Sequence, residues 1–212
     1  MSQKAKPRLL FLAGSLRRDS YQRRLLGYLA PLCDAYCEID IVQHGDISLP
    51  LFDQDLEYNP SVIRDVLALY ARIKQADGFV VASPEHNSQV SAFLKNTVDW
   101  VSRAPQIVPS LAPTNAFHGK PVLLTSASTG WTGGVVGLQA ARLLFAYLGS
   151  IVVPAQICVS DAEQWIIDGR FAFEGPFGEH IQRVVDSFVQ TLSSALPAAA
   201  DVPEFVARLS AA

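Results

Sequence analysis

The chain has 212 residues, enough for one α/β domain with a buried core and short of two full ones. Half of its residues are hydrophobic and 17% are charged, and a net charge of -3 lacks the basic excess of a phosphate-backbone binder, which argues against nucleic acid as a partner. No apolar run approaches the ~20 residues that cross a bilayer, and Leu9-Leu10-Phe11-Leu12-Ala13 is too short for the apolar core of a secretory leader, so no membrane partner and a cytoplasmic location are expected.

Apolar runs alternate with amphipathic stretches, the pattern of βαβ units around a parallel sheet. Arg8 to Ala13 is the first strand, and Ser20 to Asp34 follows as a helix with Leu25, Leu26, Leu29 and Leu32 on one face. Glu38 to Val42 is the second strand, and residues 45–59 form a loop. Ser61 to Gln75 returns to helical period, and Gly78 to Ala82 is the third strand. A helix over Ser91 to Arg103 precedes the proline-rich loop 105–115. Pro121 to Ser126 is the fourth strand, Gly134 to Leu148 a long helix and Ile151 to Val159 the fifth strand. The last helix spans Glu179 to Leu196, with Ile181, Val184, Val185, Phe188 and Leu192 at core spacing; the alanine-rich tail beyond is a short helix or a frayed end. The expectation is one flavodoxin-like domain over residues 1–212, with core 8–196 and tail 197–212. It is a three-layer sandwich whose five-stranded parallel sheet has order 2-1-3-4-5.

That topology puts a ligand beyond the carboxyl ends of strands 1 and 3, where the winding reverses. Loops 14–20, 83–90 and 126–134 lie there. In the first, Gly14-Ser15-Leu16-Arg17-Arg18-Asp19-Ser20 leads into a helix start, whose free N–H groups and dipole suit a phosphate monoester; Ser15 and Ser20 add hydroxyls and Arg17 a guanidinium. A plainer reading makes Ser20 a helix cap and Arg17, Arg18, Arg23 and Arg24 a solvated face. Other phosphate motifs are excluded: Thr114 and Pro121 break the Walker pattern around Gly119-Lys120, and no GxGxxG occurs. Ser15 lacks a GxSxG elbow. Cys33, Cys37 and Cys158 read as reduced thiols, and the four histidines match no zinc spacing, so no metal is expected.

Loop 83–90 and the helix after it carry Pro84-Glu85-His86-Asn87 and Leu94-Lys95-Asn96-Thr97-Val98-Asp99-Trp100-Val101-Ser102-Arg103. The pattern PExN…LKNxxDWxSR, with GSLRxxS upstream and Ser126-Ala-Ser-Thr-Gly-Trp-Thr-Gly-Gly134 downstream, resembles the NAD(P)H-dependent FMN reductase family, which includes quinone, chromate and azo-dye reductases. The resemblance runs from about Arg8 to Leu196. It implies an FMN enzyme, with NADPH or NADH as co-substrate and a small-molecule electron acceptor, pairing as a homodimer or homotetramer. Loops 45–59 and 105–115 are candidate contact segments, with solvent-exposed connections as the alternative.

On the same basis Ser15, Leu16, Arg17, Ser20 and Gln22 would hold the FMN phosphate. Pro84, Glu85, His86, Asn87 and Ser88 would line the ring, and Ser126, Ser128 and Gly130 would border its far side. Lys95, Asn96, Asp99 and Trp100 would cap the helix and support the ring loop. No catalytic side chain is assigned, because flavin N5 carries the chemistry; His86 is the one candidate modulator. The chain departs from the family pattern at Gln22 for Asn, His86 for Tyr, Ser88 for Gly and Ser91 for Pro. Those departures keep open a catalytically silent binding module, and an FMN electron carrier or flavin sensor without NAD(P)H turnover is the other alternative.

Overall fold

The computed structural model describes residues 6–111 and 115–195. The expected tail therefore lies outside the described residues. In chain order the elements are β1 (Arg8–Ala13), α1 (Tyr21–Asp34), β2 (Glu38–Ile41), α2 (Pro60–Gln75), β3 (Gly78–Ala82), β4 (Glu85–His86), β5 (Gln89–Val90) and α3 (Ala92–Ile107). They continue with β6 (Pro121–Ala127), α4 (Val135–Tyr147), β7 (Ile151–Val159), β8 (Ile166–Ile167), β9 (Arg170–Phe171) and α5 (Gly175–Ala195). The main sheet has order β2-β1-β3-β6-β7, every pair parallel; β4-β5 and β8-β9 are separate two-stranded hairpins. With the hairpins set aside this is the expected 2-1-3-4-5.

Strand alternation divides the core into two. Leu9, Phe11 and Ala13 of β1 face α1 and α5, meeting Leu25, Leu29, Ile181 and Phe188, whereas Leu10 and Leu12 face the side packed by Val66, Leu94, Val98, Leu138 and Phe145 of α2, α3 and α4. A sheet covered on both sides explains why its inner strands read as continuous apolar runs.

Three boundaries differ from the sequence reading. α3 does not stop at Arg103 but passes through Pro105 to Ile107. A proline this near the C-terminus forfeits a single ladder bond, and Val108 N–H still closes on the Ala104 carbonyl at 2.9 Å. α5 begins at Gly175, because Pro176 is tolerated in a first turn, where its missing N–H has no partner to lose. Loop 45–59 contains a 3-10 turn over Gln54–Tyr58.

β7 is bulged: Val122 pairs with Val152 and Leu124 with Gln156, so two residues of β6 advance while β7 advances four across Pro154. Arg142 of α4 donates to the Val153 and Pro154 carbonyls at 2.9 and 3.3 Å, satisfying acceptors near the bulge.

Candidate functional site

The loops after β1, β3 and β6 are joined to one another at the carboxyl edge of the sheet. Gly14 N–H donates to the Ala82 carbonyl (2.8 Å), and Ser83 N–H donates to the Thr125 carbonyl (2.9 Å). Gly14 is tightly enclosed, since a Cβ would lie 3.1 Å from Pro84 and 3.3 Å from the Ala82 carbonyl, so that its neighbours would have to give way.

In the first loop, Ser20 Oγ accepts from Arg23 N–H at 3.2 Å and starts α1 as its N-cap. Its own proton is still available to a ligand. Ser15 Oγ accepts from Arg17 N–H at 3.3 Å, and the Leu16, Arg17 and Arg18 side chains are exposed. Among the described residues, the amides of Ser15, Leu16, Arg18, Asp19 and Ser20 have no partner within the protein. They form an open row of donors leading into a helix N-terminus, the arrangement that holds an anion. Gln22 is turned inward, where its Nε2 donates to the Ala127 carbonyl at 2.8 Å and ties α1 to the end of β6.

Arg23, part of a solvated face in the plainer reading above, lies behind this loop. Its guanidinium donates to the Ser15 and Val42 carbonyls (3.4 and 3.3 Å), and its Nε is buried without a partner. Burial pulls its pKa below the ordinary arginine value, with Asp46 opposing. The signal was spacing: three residues past an N-cap, a side chain tilted toward the helix start reaches back under the loop. Further back, Arg72 grips Asp40 through two guanidinium nitrogens and donates to Asp46 at 2.7 Å, and Arg8 adds a bond to Asp40 at 2.8 Å. Burial pushes the Asp40 carboxyl up, but the hydrogen bonds from Arg72 and Arg8 outweigh it and hold the group below the usual carboxylate range.

The second loop folds as the β4-β5 hairpin, with Asn87 and Ser88 at its turn. Both are left-handed (φ 52° and 62°), the two-residue geometry that glycine adopts most readily. His86, Asn87 and Ser88 are exposed, and Pro84 is half-buried. Glu85 does not end in the loop: its carboxylate accepts from Gly137 N–H at 2.8 Å, capping the first turn of α4, which has no side-chain cap of its own. Ser91 makes a second tie, donating to the Gly14 carbonyl at 2.5 Å while accepting from Leu94 N–H at 3.1 Å as the N-cap of α3. A proline here, the family habit, could do neither.

The third loop is shaped by missing side chains. Gly133 and Gly134 have φ of 60° and 85°; a Cβ on Gly133 would lie 2.9 Å from Ser160 N, and one on Gly134 would overlap Ser126 Oγ. Ser128 Oγ accepts from Gly130 N–H at 3.0 Å. Ser126 is fully buried, and its hydroxyl has no partner. An orphaned hydroxyl under three loops that open on a common edge fits a site that receives a polar ligand.

The residues expected to support the ring loop act elsewhere. Asn96 takes Phe52 N–H (2.6 Å) and donates to the Pro50 carbonyl (2.8 Å), which also accepts from Trp100 Nε1 (2.8 Å). Arg103 binds Glu57 through two bonds of 2.6 and 3.0 Å. The LKNxxDWxSR helix thus straps down loop 50–57, and Lys95 pairs with Asp99 on its own helix.

The family described as NADPH-dependent FMN reductase matches residues 7–164. The chain belongs to that family. Among its relatives, the quinone reductase of Escherichia coli (strain K12) is 30% identical over 197 residues, covering 87% of this chain and 99% of its own. The NAD(P)H:quinone oxidoreductase of Solanum tuberosum is 38% identical over 125 residues, covering 58% and 59%. In fold, FerB, a flavoenzyme NAD(P)H:(acceptor) oxidoreductase from Paracoccus denitrificans, superposes with a TM-score of 0.75 at 24% identity, over 89% of this chain and 98% of that one. Membership makes the protein an oxidoreductase working with FMN and a reduced nicotinamide.

Proposed function

We propose that the protein reduces quinones or related small acceptors with electrons from NAD(P)H, using FMN held across the three loops. The observation that carries the reading is the open row of amides over residues 15–20, backed by Arg23 at the point where the winding reverses. In this reading the phosphate lies on those amides, with Ser15, Arg17 and Ser20 supplying side-chain donors around it, Leu16 exposed beside it and Gln22 bracing the loop from behind. Pro84 to Ser88 line the ring, and Ser126, Ser128 and Gly130 close its far side. FMN, when bound, supplies hydride transfer between the nicotinamide and the acceptor. The chain's task is to bind and orient; Glu85 contributes by locking the ring loop to α4. His86, exposed beside the ring, tunes acceptor preference, so His86→Tyr shifts either that preference or the pH profile.

We also place the contact of a homodimer on α3 and α4 rather than on loops 45–59 and 105–115. A groove of about 930 Å³ there is lined by Val90, Val98, Val136 and Leu144, and Leu143 and Tyr147 project beside it, so each copy could fill the groove of the other. Leu143→Glu then yields monomers in light scattering. No helix among the described residues is long and apolar enough to cross a membrane, and the three cysteines are free, which supports the expected cytoplasmic location.

The test of function is direct. The purified protein should be yellow, bleach anaerobically on addition of NADPH or NADH, and recover its colour with a quinone. Bound FMN that neither donor bleaches would reject the reductase; failure to take up FMN would reject the site.

A further inference from the structure

Trp131 is the largest side chain on the three loops and has no role in the reading above. It is 85% exposed, whereas Trp100 is fully buried and Trp165 half-buried against Phe173 and Phe177. Its backbone, by contrast, is fixed. The turn from Gly130 to Gly133 is closed by a 3.1 Å bond from Gly133 N–H to the Gly130 carbonyl, which also accepts from Asp161 N–H at 3.4 Å. Ser128 holds Gly130 N–H on one side, and on the other Gly133 is pressed against the start of the Ser160 loop. The indole therefore stands at the tip of an anchored turn, next to Gly130. On the first loop Leu16 is also left out, at 59% exposure.

An exposed indole on an anchored turn is an aromatic surface with little backbone entropy left to lose when a ring settles on it. We infer that Trp131 is the stacking platform for the planar acceptor, a specificity-determining residue that selects aromatic quinones. The inference rests on the FMN reading of this site. The electronic match favours the acceptor over the donor: the indole face is electron-rich and a quinone ring is planar and electron-poor, whereas a reduced nicotinamide ring is electron-rich.

The test uses the FMN-loaded, oxidised protein with no donor present, so that 1,4-naphthoquinone binds without turnover, and reads its Kd by calorimetry. Trp131→Ala should weaken Kd about tenfold and Trp131→Phe by about twofold or less, as loss and retention of one aromatic pair imply. FMN content and the rate with ferricyanide, which has no ring to stack, should be unchanged in both. An unchanged Kd in Trp131→Ala overturns the inference, as does a rise in the KM for NADPH in place of the quinone effect. So does conversion of Trp131→Ala to a monomer, which would make the indole a subunit contact. If the unsubstituted protein takes up FMN and NADPH bleaches it while quinone affinity ignores residue 131, this inference alone falls. If it takes up no FMN, the parent reading falls and this one with it.

Discussion

The loops after β1 and β6 open on the same edge of the sheet and are built on opposite principles. The first is held by polar side chains: Ser20 caps its helix, and Ser91 and Arg23 bind its carbonyls. The third is held by what it lacks, two left-handed glycines whose Cβ atoms would collide with Ser160 and Ser126. A charge-built loop leaves its amides open and tolerates adjustment; a shape-built loop fixes a wall and tolerates none. A ligand with an anionic end and a flat end needs one of each.

The largest way to break this contrast is Gly134→Ala. A side chain there is strained by φ and blocked by Ser126, so stability should fall by about 3 kcal/mol or more, with FMN uptake lost, as read by denaturant unfolding and flavin absorbance. A loss below 1 kcal/mol would show that the third loop yields.

Acid should attack the ion pairs that tie the β2 edge to α2 and the start of β1, and leave the shape-built third loop alone. Hydrogen bonds hold the Asp40 carboxyl below its unfolded value, so its contribution is fully present above about pH 4 and is lost as pH falls through the lower folded value. Asp40→Asn should cost about 2 kcal/mol at neutral pH and flatten the acid limb of the stability curve. An acid limb identical to that of the original protein would remove the network from the account.

Arg17→Ala isolates ligand charge from fold. It should weaken FMN about tenfold while leaving riboflavin affinity and thermal stability unchanged, because only the phosphate distinguishes the two flavins. Equal losses for both flavins would move Arg17 away from the phosphate. The smallest effect is a gain: Ser88→Gly relieves a left-handed residue in the hairpin and should stabilise the protein by about 0.5 kcal/mol, visible as a raised Tm.

The inner strands were legible because each keeps apolar residues on both faces and is followed by a turn signal, and their order followed from five strands with intervening helices. The loop proposed to hold the phosphate stood out in the sequence because its polar residues are contiguous. What escaped depends on distance in the chain. Nothing local in Glu85 reveals that it caps a helix 52 residues on, and nothing in Asn96 or Trp100 reveals the carbonyl of Pro50. Arg23 was left to the plainer reading of a solvated face for a different reason: a surface arginine and one bent back under a loop share the same helical position, and only the Ser15 carbonyl separates them. Pro105 was read as a stop although one missing N–H late in a helix costs little.

The displaced register around Pro154 has a consequence for how the molecule lives among its own copies. β7 is the last strand of the sheet, and a free strand edge invites another chain to pair with it. Here an incoming strand would meet a proline with no N–H to offer and a run of backbone out of step with the rest. At the opposite edge, β2 has only four residues, with Glu38 and Asp40 among them. Neither edge offers a long, regular ladder, so the sheet is protected from edge-to-edge polymerisation, and association is left to the helical faces.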